Sequence, residues 1–289
     1  MSAMLYLVPT PIGNLGDISL RCRETLENAD FIAAEDTRVT LKLLNHLGIK
    51  KNLVSYYEHN KATQGSRIVE RILAGETCAL VSDAGSPAIS DPGEDLVKQC
   101  AAAGIPVCAI PGPCAAITAL SISGQATGRF CFEGFLSTAK KSRREHLDAL
   151  KKEQRTMIFY EAPHKLLTTL TDLREVFGGD RPISLCRELT KLHEEVVRTT
   201  LAEAVTRYTE TPPKGEFVLI VAGAPAEQQE ASSETDAAAR VSQLMAEGVS
   251  RKDAVKQAAK ELGLPKNVVY DIALKGFDAE DNRNSTNFC

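Results

Sequence analysis

Leu80-Val81-Ser82-Asp83-Ala84-Gly85-Ser86-Pro87-Ala88-Ile89-Ser90-Asp91-Pro92-Gly93-Glu94-Asp95 is the stretch on which the fold turns. Its approach, Cys78-Ala79-Leu80-Val81, is a short apolar run bounded by breakers, the pattern of a buried strand. The run ends in a loop of small residues carrying one carboxylate, Asp83. Gly85 permits backbone angles that side chains forbid, and Ala84 and Ser86 keep the surface low enough for a ligand to lie on the main chain. Ser90 or Asp91 then suits an N-cap, with Pro92 in the first turn of a helix. Open α/β sheets bind ligands at such loops, beyond the carboxyl ends of their strands. An ordinary strand-to-helix connection is the plainer reading, but this loop is longer and smaller-residued than packing requires. It holds no Lys or Arg, so it suits a neutral or cationic ligand better than a phosphate.

Outward from this loop, strands and helices alternate. Leu5–Val8, Phe31–Ala34, Leu53–Glu58 and Pro106–Ile110 read as strands; Ile18–Asn28, Leu41–Leu47, Arg67–Leu73 and the segment from Asp95 to Gly104 read as helices. That alternation predicts a mostly parallel sheet covered on both faces. After the first strand, Pro9-Thr10-Pro11-Ile12-Gly13-Asn14-Leu15-Gly16 has the spacing Gly-x-x-Gly with prolines in the turn, so the dinucleotide fingerprint is absent. Pro111-Gly112-Pro113 turns the chain into another helix, whose first amides, Cys114 to Ala116, are expected to point outward unpaired.

Beyond Ser123-Gly124-Gln125 the pattern changes. Phe130–Phe135, Thr156–Tyr160, Ile183–Cys186, Glu195–Leu201 and Phe217–Val221 read as strands with fewer long helices between them, which predicts a mixed α+β second domain. Between 140 and 155, seven basic residues oppose three acidic ones. The run includes Lys140, Lys141, Arg143 and Arg144, and serves equally as a solvated helix or as a polyanion contact. Residues 224–236 are polar and acidic, as linkers are. Three short helices follow, with Ala259, Gly263, Val269 and Ile272 at the positions a helix-turn-helix needs. The expected boundaries are an α/β domain over 1–120, an α+β domain over 121–224, a linker over 225–236, a helical RNA-contact unit over 237–277 and a frayed end over 278–289.

The whole chain of 289 residues is 43% hydrophobic and carries a formal net charge of −4, which argues against indiscriminate nucleic-acid binding but not against a local basic face. Its eight cysteines form no CxxC or Cys/His pattern and read as small core residues in a reducing compartment. Met1-Ser2-Ala3-Met4 lacks a basic leader and no apolar run is long enough to span a bilayer, so a cytoplasmic protein without membrane contact is expected. No metal-ligand spacing is visible.

Taken together, VPTPIGNLGDIS, AAEDTR, VSDAGSPAISDPG, AIPGPCAA, FYEAPHK, CRELTKLHEE and KGEFVLIVAG resemble the bacterial 16S ribosomal RNA (cytidine-2'-O)-methyltransferases of the tetrapyrrole-methylase superfamily. The resemblance covers nearly the whole chain. It implies an α/β, two-domain tetrapyrrole-methylase-like fold with the donor, S-adenosylmethionine, in the interdomain cleft, a small all-α helix-turn-helix-like unit at the C-terminus, and a homodimer. The implied substrate is a cytidine ribose (cytidine 1402) in 16S ribosomal RNA of the small ribosomal subunit. Many tetrapyrrole methylases carry Gly-Asp-Pro where this chain has Ala84-Gly85-Ser86, which displaces the carboxylate to Asp83. Carried over, the motifs make Pro9, Asp83, Ala84, Gly85, Ser86, Pro87, Ala88, Cys114, Ala115 and Ala116 donor-binding candidates, with Leu189 against the adenine.

Methylating a ribose hydroxyl requires its proton to leave during attack, and a carboxylate or His within reach can take it. Glu35, Asp36, Glu161, His164 and Glu188, all at strand ends, are the candidates, each with an alternative reading as a cap or ion-pair partner. Arg38, Lys165, Arg187 and Lys191 at the same loops, and Arg251, Lys252 and Lys266 in the tail, are candidates for phosphate contacts. Two rival readings remain open: a methylase of a small tetrapyrrole-like substrate, and a noncatalytic ribosome-assembly factor that has kept the fold. Neither the basic run nor the helical tail is needed by the first, and the second need not bind the donor.

Overall fold

In the computed structural model, which describes residues 3–225 and 234–273, the first strands are β1 (Leu5–Leu7), β2 (Phe31–Ala34), β3 (Asn52–Ser55), β4 (Cys78–Val81) and β5 (Val107–Ala109). They form one parallel sheet in the order β3-β2-β4-β1-β5. Helices α1 (Leu20–Asn28) and α2 (Thr37–Leu47) cover one face, and α3 (Lys61–Leu73) and α4 (Gly93–Ala102) the other. The strand sequences show why. In β2, Phe31 and Ala33 pack with Ile68, Ile72 and Leu96, while Ile32 and Ala34 pack with Cys22, Leu26 and Leu44. A strand buried on both faces needs apolar residues at every position. The larger of these side chains, Phe31 and Ile32, contribute about 1.5–3 kcal/mol each on burial. The central loop starts its helix one residue later than expected: Pro92 occupies the cap position, and Asp91 Oδ1 accepts from the Gly93 amide at 2.7 Å.

The second sheet comprises β6 (Phe130–Phe135), β7 (Thr156–Glu161), β8 (Pro182–Arg187), β9 (Glu195–Thr200) and β10 (Phe217–Val221), in the order β6-β7-β10-β8-β9. Only the β6/β7 pair is parallel. Helices α6 (Lys140–Ala149), α7 (Pro163–Phe177) and α8 (Leu201–Glu210) bury Leu147, Leu170 and Leu201 against one face. Helix α5 (Ala115–Ser123) covers the other, with Ala116, Ala119 and Leu120 against Ile158, Val218 and Ile220. The boundary expected at 120 falls inside α5, which packs as one piece on the second sheet. Its small apolar face is matched to the second sheet, and the Pro111-Gly112-Pro113 turn carries the chain to it from the parallel sheet.

The chain divides into two compact units between Ala224 and Pro225. In the second, α9 (Glu234–Ala246) starts within the stretch expected to be linker; the remainder of that stretch, 226–233, and the end from 274 lie outside the described residues. Helix α10 (Arg251–Leu262) is stopped by Gly263 in the left-handed region (φ +64°), and a further helical stretch covers 266–273. Val241, Leu244, Val255, Ala259 and Val269 form its core.

Candidate active site

The loops at the carboxyl ends of the first sheet face strand ends of the second across a cavity of about 510 Å³. Ser82 to Ser86, after β4, form one wall with Ile12, Cys114 and Ala115. Leu189 after β8, Phe217 of β10, Tyr160 and Glu161 of β7, and Phe135 of β6 form the other. Because these strands lie side by side as β8-β10-β7-β6, the cavity is a slot running across three strand spacings, about 14 Å. Two close approaches fix which loops meet at each end. A β-carbon at Gly13 would come within 2.5 Å of Lys191 Cγ, and one at Gly134 within 3.3 Å of Ser90 Oγ. One end is therefore bounded by the β1 and β8 loops, the other by the β4 loop and β6.

The small-residue loop is held rigidly. Thr10 and Gly85 exchange backbone hydrogen bonds (2.9 and 3.0 Å), Thr10 Oγ1 donates to Ser82 O, and Ser86 Oγ donates to Pro113 O at 2.9 Å. Gly85 has φ +83°, a backbone that strains any side chain, and a β-carbon there would also crowd Ile12 Cγ2 at 3.3 Å. The non-glycine residues at positive φ among the described residues are Ala88, Ser90, Glu188 and Thr190. All four lie in the two loops after β4 and β8, where strain is held in place by surrounding bonds: Asp91 Oδ1, for instance, accepts from Ala88 N. The amide of Ala116 is not free, as expected of it, but donates to Tyr160 Oη at 3.1 Å. Burial pushes that phenol up to about 12.

The slot gathers some of the expected acids and not others. Glu35 and Glu161 line it; Asp36, His164 and Glu188 do not. Asp36 caps α2 and pairs with Arg38 at 2.6 Å, which holds its carboxyl down at about 2, and its own amide donates to Asp83 Oδ1. His164 is exposed in the first turn of α7. Glu188 accepts from the Glu216 amide and from Lys191 Nζ, bonds that lower its pKa. Glu161 is buried, with one oxygen accepting from Thr169 Oγ1 and the other from the Ala162 amide. Glu35 alone among the five is half-buried in the slot with no ion pair among the described residues, and burial, then the nearby charges of Asp83 and Asp91, push its carboxyl above the ordinary range.

Of the donor-binding candidates, Asp83, Ala84, Gly85, Ser86, Cys114, Ala115 and Leu189 line the slot. Pro9, Pro87, Ala88 and Ala116 stand behind it; Pro9, for example, packs where a β-carbon on Gly112 would fall. The basic candidates are mostly committed elsewhere. Arg143 is locked to Asp172 at 2.6 Å, Arg144 to Asp148 and Glu175, Arg187 to Glu195, and Lys191 to both Glu188 and Glu216. Lys140, Lys252 and Lys266 are exposed with no ion pair among the described residues; Lys141 only approaches Glu145 at 3.9 Å, and Lys165 is half-buried in the first turn of α7. Arg251 is half-buried at the start of α10. Ile89, Phe135 and Tyr160 also line the slot and were not anticipated. The aromatic spacing Phe130, Phe132, Phe135 was a visible signal for the second of these.

One parallel and one mixed sheet with a carboxylate-rich slot between them, followed in sequence by a helical unit, define a class. Residues 4–205 match the family model described as Tetrapyrrole (Corrin/Porphyrin) Methylases, and residues 231–276 match the RsmI C-terminal HTH domain. Within that class the chain belongs to the small-subunit ribosomal RNA methyltransferase I family. It is 51% identical over 271 residues to "Ribosomal RNA small subunit methyltransferase I" of Halalkalibacterium halodurans, covering 93% of each chain. The protein of the same name from Synechocystis sp. is 49% identical (94% of this chain, 98% of the relative), and that of Escherichia coli O157:H7 is 46% identical (94% of each). Solved structures share the fold at low identity. The methyltransferase CobJ superposes with a TM-score of 0.58 (19% identity, 77% of this chain and 95% of that one). Uroporphyrin-III C-methyltransferase from Thermus thermophilus, complexed with S-adenyl homocysteine, gives 0.55 (16% identity, 76% and 97%).

Proposed function

We propose that the chain transfers the methyl group of S-adenosylmethionine to the 2'-hydroxyl of a cytidine ribose in 16S ribosomal RNA, acting on the small ribosomal subunit as a homodimer. The observation that carries this is near-full-length identity of 43–51% to proteins named for small-subunit ribosomal RNA methylation. The slot fits the donor on its own chemistry. Its carboxylate lining is Glu35, Asp83, Asp91, Glu161 and Glu216 against one cation, Lys191, already shared between two carboxylates. A sulfonium that also bears an ammonium group is suited to such a field. The main chain at Ser82 to Ser86 and the first turn of α5 would cradle it, with Leu189 against the adenine.

Bound there, the donor supplies a methyl carbon already activated by its positive sulfur. The chain's task is then to align the acceptor oxygen, which supplies up to roughly 7–11 kcal/mol in favourable cases, and to take its proton. The oxygen–carbon bond forms as the carbon–sulfur bond breaks, its electron pair neutralises the sulfur, and the proton passes to Glu35. The other four candidates are committed to caps, ion pairs or buried hydrogen bonds, or lie outside the slot. Lys140, Lys252 and Lys266, exposed with no ion pair among the described residues, would hold flanking phosphates together with Lys141.

The test is to incubate the protein with labelled donor and small-subunit particles and to map the label. A single 2'-O-methylcytidine in the RNA is expected. Label on a base, or transfer to a tetrapyrrole with the RNA untouched, would overturn the reading, and so would a folded protein that binds no donor.

A further inference from the structure

β6 is an edge strand carrying three aromatic rings, Phe130, Phe132 and Phe135. Strict alternation would set Phe135 on the opposite face from the other two. A bulge prevents this. Glu133 and Gly134 together oppose Phe159, so the register passes from Phe132 opposite Ile158 to Phe135 opposite Tyr160. Gly134 takes φ +63°, which admits the extra residue. Phe132 and Phe135 thus come to one face, and both meet Tyr160 edge-on, at 5.1 and 5.4 Å between ring centroids. Tyr160 is itself fixed by the Ala116 amide.

The re-aimed ring does not enter a core. Phe135 lines the slot yet is 60% exposed, whereas Phe159 and Phe217 in the same sheet are buried. At that exposure much of the Phe135 side chain is left to solvent despite its contact with Tyr160. The bulge also places Gly134 against Ser90, so Phe135 stands at the end of the slot bounded by the β4 loop. The same loop carries Asp83 and Asp91, whose charges act on Glu35, and Leu189 lies three strand spacings away.

We propose that Phe135 is the platform on which the acceptor nucleobase stacks, setting the ribose hydroxyl beside Glu35 while the donor occupies the Leu189 end. Sequence-specific recognition of RNA works on unstacked bases splayed onto aromatic faces, and an open phenylalanine ring at a cavity mouth offers that surface. This rests on the RNA-methylation reading above. Three variants, Phe135→Ala, Phe135→Leu and Phe135→Trp, are compared with the parent on small-subunit particles. The readouts are the Michaelis constant for the particle, turnover, donor affinity by calorimetry and oligomeric state by sedimentation.

Phe135→Ala should raise the Michaelis constant about 10- to 100-fold, the loss expected for one base–aromatic contact, with donor affinity and oligomeric state unchanged. Phe135→Trp should restore it, and Phe135→Leu should not, because it keeps apolar bulk without a π-face. An unchanged constant for Phe135→Ala in a system where the parent is active would overturn the platform alone. So would a loss of donor affinity in step, a change of oligomeric state, or full activity of Phe135→Leu. A parent that binds donor but leaves the RNA unmethylated overturns the RNA reading and the platform with it.

Discussion

Gly85 and Glu35 act by opposite means. Gly85 contributes the absence of a side chain: Gly85→Val would strain a backbone at φ +83° and drive a branched group into Ile12 on the slot wall. The expected outcome is a folded protein whose donor affinity by calorimetry falls more than about tenfold. Unaltered affinity would mean the loop does not hold the donor. Glu35 contributes a charge kept in an unfavourable place. As the proposed base it must be ionised, so turnover should fall on acidification through a pKa above the ordinary carboxylate value of 4.5, and Glu35→Gln should lower turnover about 10²–10⁴-fold while sparing donor affinity. The same shift gives a stability prediction of the other sign. A carboxyl whose folded pKa is raised destabilises the fold above that pKa and not below the unfolded value. Glu35→Gln should therefore melt higher than the parent at neutral pH, with the gain vanishing below about pH 4. Coincident melting curves at both pH values would remove the buried-charge account. The glycine was legible in the sequence because local geometry decides it. The choice among the five candidate bases was not, because the carboxylates' partners are remote: Thr169 for Glu161, Glu216 for Glu188, Asp83 for the loop of Asp36.

At the scale of elements, α6 shows how a charge run divides its labour. Arg143 faces α7 and its ion pair with Asp172 is largely shielded, with 13% and 19% of the two side chains exposed. It also donates to the carbonyls of Ser137 and Thr138, closing the turn before the helix. Arg143→Ala should cost about 1.5–3 kcal/mol, read from the denaturant midpoint, the range for hydrogen bonds to charged groups. Lys140→Glu with Lys141→Glu should leave that midpoint nearly unmoved. It should flatten the salt dependence of RNA binding by about one unit per lysine, since each phosphate contact releases counterions. Equal salt slopes for parent and double variant would make this end of α6 an ordinary solvated surface. The sequence displayed the run but not its division, because Asp172 lies 29 residues away. Strand cores were legible almost to the residue, β2, β4, β6 and β10 above all, since each is a short apolar or aromatic run between breakers. The bulge at Gly134 and the partner of α5 were not. Both depend on which sheet a segment meets, and local pattern carries no record of that.

At the scale of the whole molecule, the slot and the helical unit belong to different compact bodies, meeting in sequence at Ala224 and Pro225. Each has its own core: Val241, Leu244, Val255 and Val269 in the second make one cluster, and the two sheets in the first carry theirs. A chain ended after Ala224 keeps every residue that lines the slot, so it should fold, dimerise and bind donor with the parent's affinity. On the proposed reading, what it loses is a second place to hold RNA. Lys252, Lys256 and Lys260 recur every fourth residue along α10 and all are exposed, while the acids of that helix are engaged, Glu261 by Arg240 and Asp253 by Ser250. A ridge of that kind attracts phosphates without reading sequence. Tethering a weak contact to the slot raises the effective concentration of the acceptor, so its loss should act on encounter more than on chemistry. Truncation is therefore expected to raise the Michaelis constant for small-subunit particles at least about tenfold, with turnover at saturation changed much less. Changing the three lysines to Gln in the full chain should reproduce most of that rise and flatten its salt dependence. Steady-state kinetics of the truncated and triple-Gln proteins, beside donor titrations to certify the core, separate the outcomes. Unchanged constants would reduce the tail to a passenger, and a fall in turnover alone would place its influence within the slot.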